Sequence, residues 1–189
     1  MPNPVRRFLF LVTSARRHGN AEQLARRAAA ALPPAVIQEW IHLADVPLPP
    51  FADLRHAAAE PWTPVVEGHA RRLLEATLAA TDLVMVAPVY WYSLPAAAKL
   101  YLDHWSAWLR APRWDFKARM VGKTLWGVSI LSDRDTRQAD PLRDSLRLTA
   151  DYMQMHWGGF LLGYGNRPGD VLNDADSVVA ADRFFTEVR

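Results

Sequence analysis

Cysteine is absent from the 189-residue chain. That excludes a disulfide scaffold, a cysteine nucleophile, an iron–sulfur cluster and a Cys-ligated zinc, and it accords with a cytoplasmic protein. Long apolar runs are lacking as well. The longest, around Leu83 to Tyr92, falls far short of the roughly 20 residues that cross a bilayer. The shorter run Phe8 to Val12 follows two arginines but is met by Arg16-Arg17, which does not fit a signal peptide. No block of like charge exists. The formal net charge is +2, with arginines in pairs and carboxylates interspersed, so neither nucleic acid nor a membrane is expected as a partner. The six histidines show no H-x-x-x-H or H-E-x-x-H spacing, and no metal site is expected. The reading is a soluble intracellular protein.

What is present is an ordinary globular composition, 50% hydrophobic and 22% charged, with length for one domain over residues 1–189 and a sizeable core. Phe8–Val12, Val36–Leu43, Leu83–Ala87, Trp126–Ile130 and Phe160–Tyr164 read as strands, most of them apolar throughout. Helices are expected over Ala21–Leu32, Val66–Leu78, from a Ser93/Pro95 cap to about Leu109, over Leu142–Trp157 and over Ser177–Val188. Alternating strands and helices with wholly apolar strands mean a parallel sheet covered on both faces. The expected fold is α/β, a flavodoxin-like doubly wound five-stranded sheet of order 2-1-3-4-5, which binds ligands at the carboxyl ends of its first and third strands.

Two loops leave those ends. Ser14 to Asn20 joins the first strand to a helix, whose N-terminus favours an anion. Gly19 would let the backbone approach a ligand, and Ser14, Asn20, Arg16 and His18 could add donors and charge. The loop has neither G-x-x-x-x-G-K-[ST] nor G-x-G-x-x-G, which leaves a monophosphate as the better ligand. The same residues would also make a plain βα turn with Asn20 as helix cap. The loop after the third strand carries Tyr90-Trp91-Tyr92. These aromatics could wall a planar ring, or Tyr90 and Trp91 could pack beneath the next helix.

At these loops the chain resembles the flavodoxin-like NADPH-dependent FMN reductase and NAD(P)H:quinone reductase family. Ser14-Ala15-Arg16-Arg17-His18-Gly19-Asn20 is similar to its S-x-R-x-x-G-N-[ST] phosphate loop. Pro88-Val89-Tyr90-Trp91-Tyr92-Ser93-Leu94-Pro95-Ala96 with Lys99 is similar to its P-x-Y-W-x-x-x-P-A-x-x-K segment. Gly122-Lys123 and the glycine-rich stretch Gly163 to Asp170 also fit. The resemblance implies FMN as cofactor and NADPH or NADH as electron donor, with a quinone, flavin or similar small acceptor and a homodimer or homotetramer. It implies that Ser14, Arg16, His18, Gly19 and Asn20 hold the phosphate, and that Pro88, Val89, Tyr90, Trp91, Tyr92 and Ser93 contact the ring and ribityl chain. Ala21 replaces the family's Ser or Thr. The loop Ser129 to Arg134 lacks a glycine pair, so only Ser132 is carried over from it.

With such a cofactor no side chain has to act as nucleophile, and no catalytic residue is assigned. Tyr92 could donate a proton or serve packing. Two other readings use the same fold: an electron-carrier flavodoxin, and a cofactor-free regulatory domain. Asp133 and Asp135 around Arg134 read as a solvated loop, and Trp105 and Trp108 as core or a subunit interface.

Overall fold

The computed structural model describes residues 5–54 and 63–186. Five strands form one sheet: β1 (Arg7–Val12), β2 (Ile37–His42), β3 (Asp82–Val86), β4 (Thr124–Leu131) and β5 (His156–Tyr164). Every neighbouring pair is parallel, in the order β2-β1-β3-β4-β5. The helices are α1 (Asn20–Ala30), α2 (Gly68–Ala79), α3 (Ala96–Trp108), α4 (Phe116–Met120), α5 (Asp140–Tyr152) and α6 (Ala175–Phe184). The doubly wound sheet expected from the strand pattern is the fold observed.

Side chains alternate across the strands, so each apolar strand feeds two cores. Leu9, Leu11, Leu83, Met85 and Leu125 pack under α2, α3, α4 and α5. Phe8, Phe10, Val12, Val84, Val86, Val128 and Ile130 pack under α1 and α6. Trp105 and Trp108 are both buried in the first core, edge-on to Tyr101 and Phe116. No helix among the described residues is long and apolar enough to cross a membrane.

Several expectations change. The helix expected over Leu142–Trp157 stops at Tyr152, because Gln154 turns left-handed (φ 55°) and β5 then starts at His156. Trp157 is therefore a strand residue, and β5 is four residues longer at its start than its apolar run. Gly158 sits at a bulge opposite Leu125/Trp126, where any Cβ would enter the Trp126 indole. Ser93 caps nothing. It belongs to a turn, and Pro95 is the N-cap of α3. The short α4 was not expected. The closing helix ends at Phe184, and the last residues of its expected range, with His56, lie outside the described residues.

The amino end of the sheet carries a polar knot. Asp82 is buried and accepts hydrogen bonds from Arg6 Nη2 (2.6 Å), Thr81 Oγ1 (2.7 Å) and Trp126 Nε1 (3.0 Å). Nearby, the Lys123 ammonium donates to the carbonyls of Leu78 and Ala80 at the end of α2, a favourable place for a cation. Burial, helped by the neighbouring Arg119 charge and opposed by Asp82, holds the Lys123 amine below its usual range. Gly122 and Lys123, matched by the family resemblance, thus lie at the end of β4 opposite its carboxyl terminus.

Asp82→Ala would strand the buried Trp126 N–H, while the half-exposed Arg6 contributes little. We expect a loss of about 2 kcal/mol in urea denaturation, with Asp82→Asn retaining most of the stability because its carbonyl still accepts from Trp126.

Candidate functional site

The carboxyl ends of β1, β3, β4 and β5 meet at a cavity of about 260 Å³. The strand ends are tied together first. Thr13 donates to the Val86 carbonyl from both its N–H (3.0 Å) and its hydroxyl (3.1 Å). Ser129 Oγ donates to the Ala87 carbonyl (2.6 Å), and the N–H groups of Ala87, Val89 and Gly165 extend the ladders to Val128, Ile130 and Leu131. The loops therefore start from fixed positions.

Ser14, Arg16, Gly19, Asn20 and Ala21 line the cavity on one side, with Pro88, Val89 and Tyr90 across from them and Ser132 beside them. Ile130, Gly165 and Asn166 complete the lining. Those three were missed from the sequence, although the glycine-rich stretch after β5 was a usable signal. His18, Trp91, Tyr92 and Ser93 adjoin the cavity in sequence without lining it.

The helix start is unusual. Gly19 is the N-cap of α1 and offers no side-chain cap, and the intrahelical ladder begins only at Gln23 N–H to Gly19 carbonyl. The N–H groups of Asn20, Ala21 and Glu22 meet no acceptor among the described residues. Such a turn carries partial positive charge. The Arg16 guanidinium adds to it without a carboxylate partner among the described residues, whereas Arg17 is paired with Asp45.

The Asn20 side chain is a clamp. Its Nδ2 donates to the Arg167 carbonyl (2.9 Å) and its Oδ1 accepts from Gly169 N–H (2.8 Å). Gly165 has to be glycine, because a Cβ there would meet Asn20 Nδ2 at 2.7 Å and Val171 N at 2.9 Å. Asn20 thus caps nothing, and what it can offer an anion is its backbone N–H. At Gly19 a Cβ would meet only ordinary contacts, near 3.6 Å. The left-handed residue of this loop is His18, φ 53°.

Glu22, in the first turn, is buried and accepts from His18 N–H (2.8 Å) and from Arg26 (2.7 and 2.9 Å). Burial alone would raise its carboxyl. The Arg26 contacts and the His18 N–H outweigh that and hold it below the usual carboxylate range. Its contribution is therefore complete at neutral pH, begins to fade below the usual carboxylate range and is lost once acid reaches the lowered one.

The aromatic loop is a two-residue turn. Tyr90 and Ser93 exchange backbone hydrogen bonds, both 3.1 Å, and the central Trp91 and Tyr92 sit at φ 50° and 62°. That is a type I′ turn, whose central positions favour Asn and Gly. Here they hold two large rings, and Trp91 is 93% exposed. Tyr90 reaches back instead, its hydroxyl 3.4 Å from Ser14 Oγ. The alternative in which Trp91 packs under α3 is not what is observed. The third loop substitutes side-chain ties for glycines. Asp133 accepts from Asp135 N–H, Asp135 pairs with Arg137, and Arg134 bridges to Asp174. It is a solvated loop.

A doubly wound parallel sheet with an open helix start and an aromatic turn at its switch point defines a flavodoxin-like nucleotide-binding protein. Known proteins refine that class. The chain is 34% identical over 171 residues to the candidate NAD(P)H-dependent FMN-containing oxidoreductase YwqN of Bacillus subtilis (strain 168), covering 90% of this chain and 91% of that one. A solved structure of a Trp repressor binding protein from Bacillus subtilis superposes with TM-score 0.76 at 27% identity, over 96% of this chain and 99% of that one. An NAD(P)H:quinone oxidoreductase from Methanothermobacter marburgensis shares the fold at TM-score 0.67 and 16% identity, covering 98% of both chains. Residues 6–163 match the NADPH-dependent FMN reductase family. The chain belongs to that family, and with it to the flavin-dependent oxidoreductases driven by reduced nicotinamide.

The turn yields a prediction. Left-handed geometry at a bulky residue costs roughly 1–2 kcal/mol, and the exposed Trp91 has little packing to lose. Trp91→Asn should therefore raise unfolding stability, by about 0.5–1 kcal/mol. Thermal denaturation of the cofactor-free protein checks this; a lower melting temperature would mean that the indole is held by packing.

Proposed function

We propose that this chain carries hydride equivalents from NADPH or NADH, through FMN held at the carboxyl end of the sheet, to a quinone, flavin or similar small acceptor. One observation carries the placement: the uncapped start of α1, with Arg16, which has no carboxylate partner among the described residues, opens on the same cavity as Pro88, Val89 and Tyr90. The donor set fits a flavin mononucleotide. The first-turn N–H groups of α1, with Ser14 and Arg16, would hold the phosphate. Pro88, Val89, Tyr90 and Ser93, with the N–H groups of Trp91 and Tyr92 that meet no acceptor among the described residues, would lie along the ring. Ser132, Gly165 and Asn166 would close the far side.

When bound, FMN supplies the hydride-accepting and hydride-donating chemistry. The protein's part is to fix the phosphate, orient the ring and leave one face open to donor and acceptor. No side chain of the site has to act as a nucleophile. The Tyr92 side chain is 55% exposed, which favours a role toward an incoming acceptor over one in packing.

We further propose a homodimer or homotetramer in the cytoplasm. A groove of about 380 Å³ between α3 and α5, lined in part by Leu102, Leu109, Leu148 and Tyr152, supports a second copy, because exposed apolar surface of this kind is usually covered.

An absorbance spectrum of the purified protein tests the central reading. Flavin bands near roughly 450 nm that bleach on anaerobic addition of NADPH or NADH are expected, and the faster donor identifies the preferred nucleotide. Bands that neither donor bleaches would favour an electron carrier, and a colourless protein that takes up no FMN would overturn the reading.

A further inference from the structure

His18 takes the left-handed conformation immediately before the N-cap of α1, which is disfavoured for a residue with a Cβ. Its own side chain is 82% exposed, and its Nδ1 approaches Glu22 Oε1 only to 4.0 Å. Both backbone groups are held from behind by α1 instead. His18 N–H donates to Glu22 Oε2 at 2.8 Å, and its carbonyl accepts from Gln23 Nε2 at 2.7 Å. The Glu22 side chain is itself only 5% exposed, and its other oxygen is taken by Arg26.

Glu22 is the third residue of the helix, the position from which a glutamate in a capping box reaches back to the N-cap N–H. Here it reaches one residue further, to His18. The reciprocal half is missing, since Gly19 has no side chain. The loop donor is therefore satisfied while the first-turn donors of α1 stay open. A carboxylate beside an anion site opposes the anion electrostatically, and the Arg26 pair offsets that charge.

We infer that Glu22 is the positioning residue of the anion loop. By holding the His18 N–H, its carboxylate keeps residues 14–19 in the shape that leaves the backbone N–H groups of Asn20, Ala21 and Glu22 free for a phosphate, while the Glu22 side chain itself stays off the ligand. The inference rests on the reading that this loop takes the phosphate of FMN.

FMN and riboflavin differ only by that phosphate, so titrating the flavin-free full-length protein with each, by quenching of flavin fluorescence, separates the effects. The unaltered chain should prefer FMN. Glu22→Ala should raise the Kd for FMN about tenfold or more, the scale of a charge-assisted hydrogen bond, and leave that for riboflavin within about twofold. Glu22→Gln keeps an acceptor for His18 and should fall between. Glycine adopts the left-handed conformation freely, so in a His18→Gly background the penalty of Glu22→Ala or Glu22→Gln should shrink severalfold. Circular dichroism checks folding; if Glu22→Ala does not fold, the Gln series carries the test. Equal weakening of both flavins, or unchanged FMN affinity, would overturn the inference alone. An unaltered chain that binds FMN no more tightly than riboflavin would overturn the phosphate reading and the inference with it.

Discussion

The first turn of α1 has no side-chain cap, and the loops at the carboxyl end of the sheet are arranged around its open donors. A parallel sheet delivers the loops of β1, β3, β4 and β5 to one end, but delivery alone does not keep backbone N–H groups available. Side chains do the fastening. Thr13 ties β1 to β3, Asn20 ties α1 to the loop after β5, and Arg134 ties the third loop to Asp174. Each is spent on the protein itself, and the groups left for a ligand are largely backbone N–H groups and Arg16. That division suits a phosphate, which accepts many hydrogen bonds and is favoured by a helix N-terminus.

The two non-glycine stretches with positive φ beside the cavity are maintained differently. His18 is gripped by side chains of its own helix. Trp91 and Tyr92 are held by the two hydrogen bonds between Tyr90 and Ser93 that close their turn. The first arrangement is stiff and suits a fixed anion. The second presents large rings at the surface on a short hairpin, where glycine or asparagine would be less strained. Strain kept at a turn beside the cavity, with cheaper residues available, is the pattern of a functional constraint.

Much of this was legible in the sequence because the strands are apolar on both faces and the helices are punctuated by proline. The sheet order and the two switch-point loops followed from that pattern. What was not legible had local causes. Gln154 ends α5 early in a left-handed conformation that few residues other than glycine announce, and Gly158-Gly159 at the start of β5 hid strand residues behind a bulge around Trp126. Asn20 looked like a cap or a phosphate donor because of its place before a helix; its actual partners, Arg167 and Gly169, are nearly 150 residues away. Gly165 and Asn166 joined the site through the same long-range clamp. The turn type at Trp91-Tyr92 was hidden because neither residue is a turn former.

The two ends of the sheet carry different burdens. At the amino end, Asp82 accepts from Arg6 and Trp126, and Lys123 satisfies the end of α2, at the opposite end of the sheet from the cavity. At the carboxyl end, polar groups are left without partners among the described residues, and bulky residues sit in disfavoured backbone regions. A domain of this size holds its fold by only about 5–15 kcal/mol, so open donors and a strained turn have to be offset by packing elsewhere. The tryptophans divide along the same line. Trp105, Trp108 and Trp126 are core, and their packing stabilises a sheet that can hold Trp91 out in solvent. An electron carrier needs only a shielded ring and a docking surface. An exposed indole on a strained hairpin, beside an open donor set, is better explained by a site that must accept one planar partner after another.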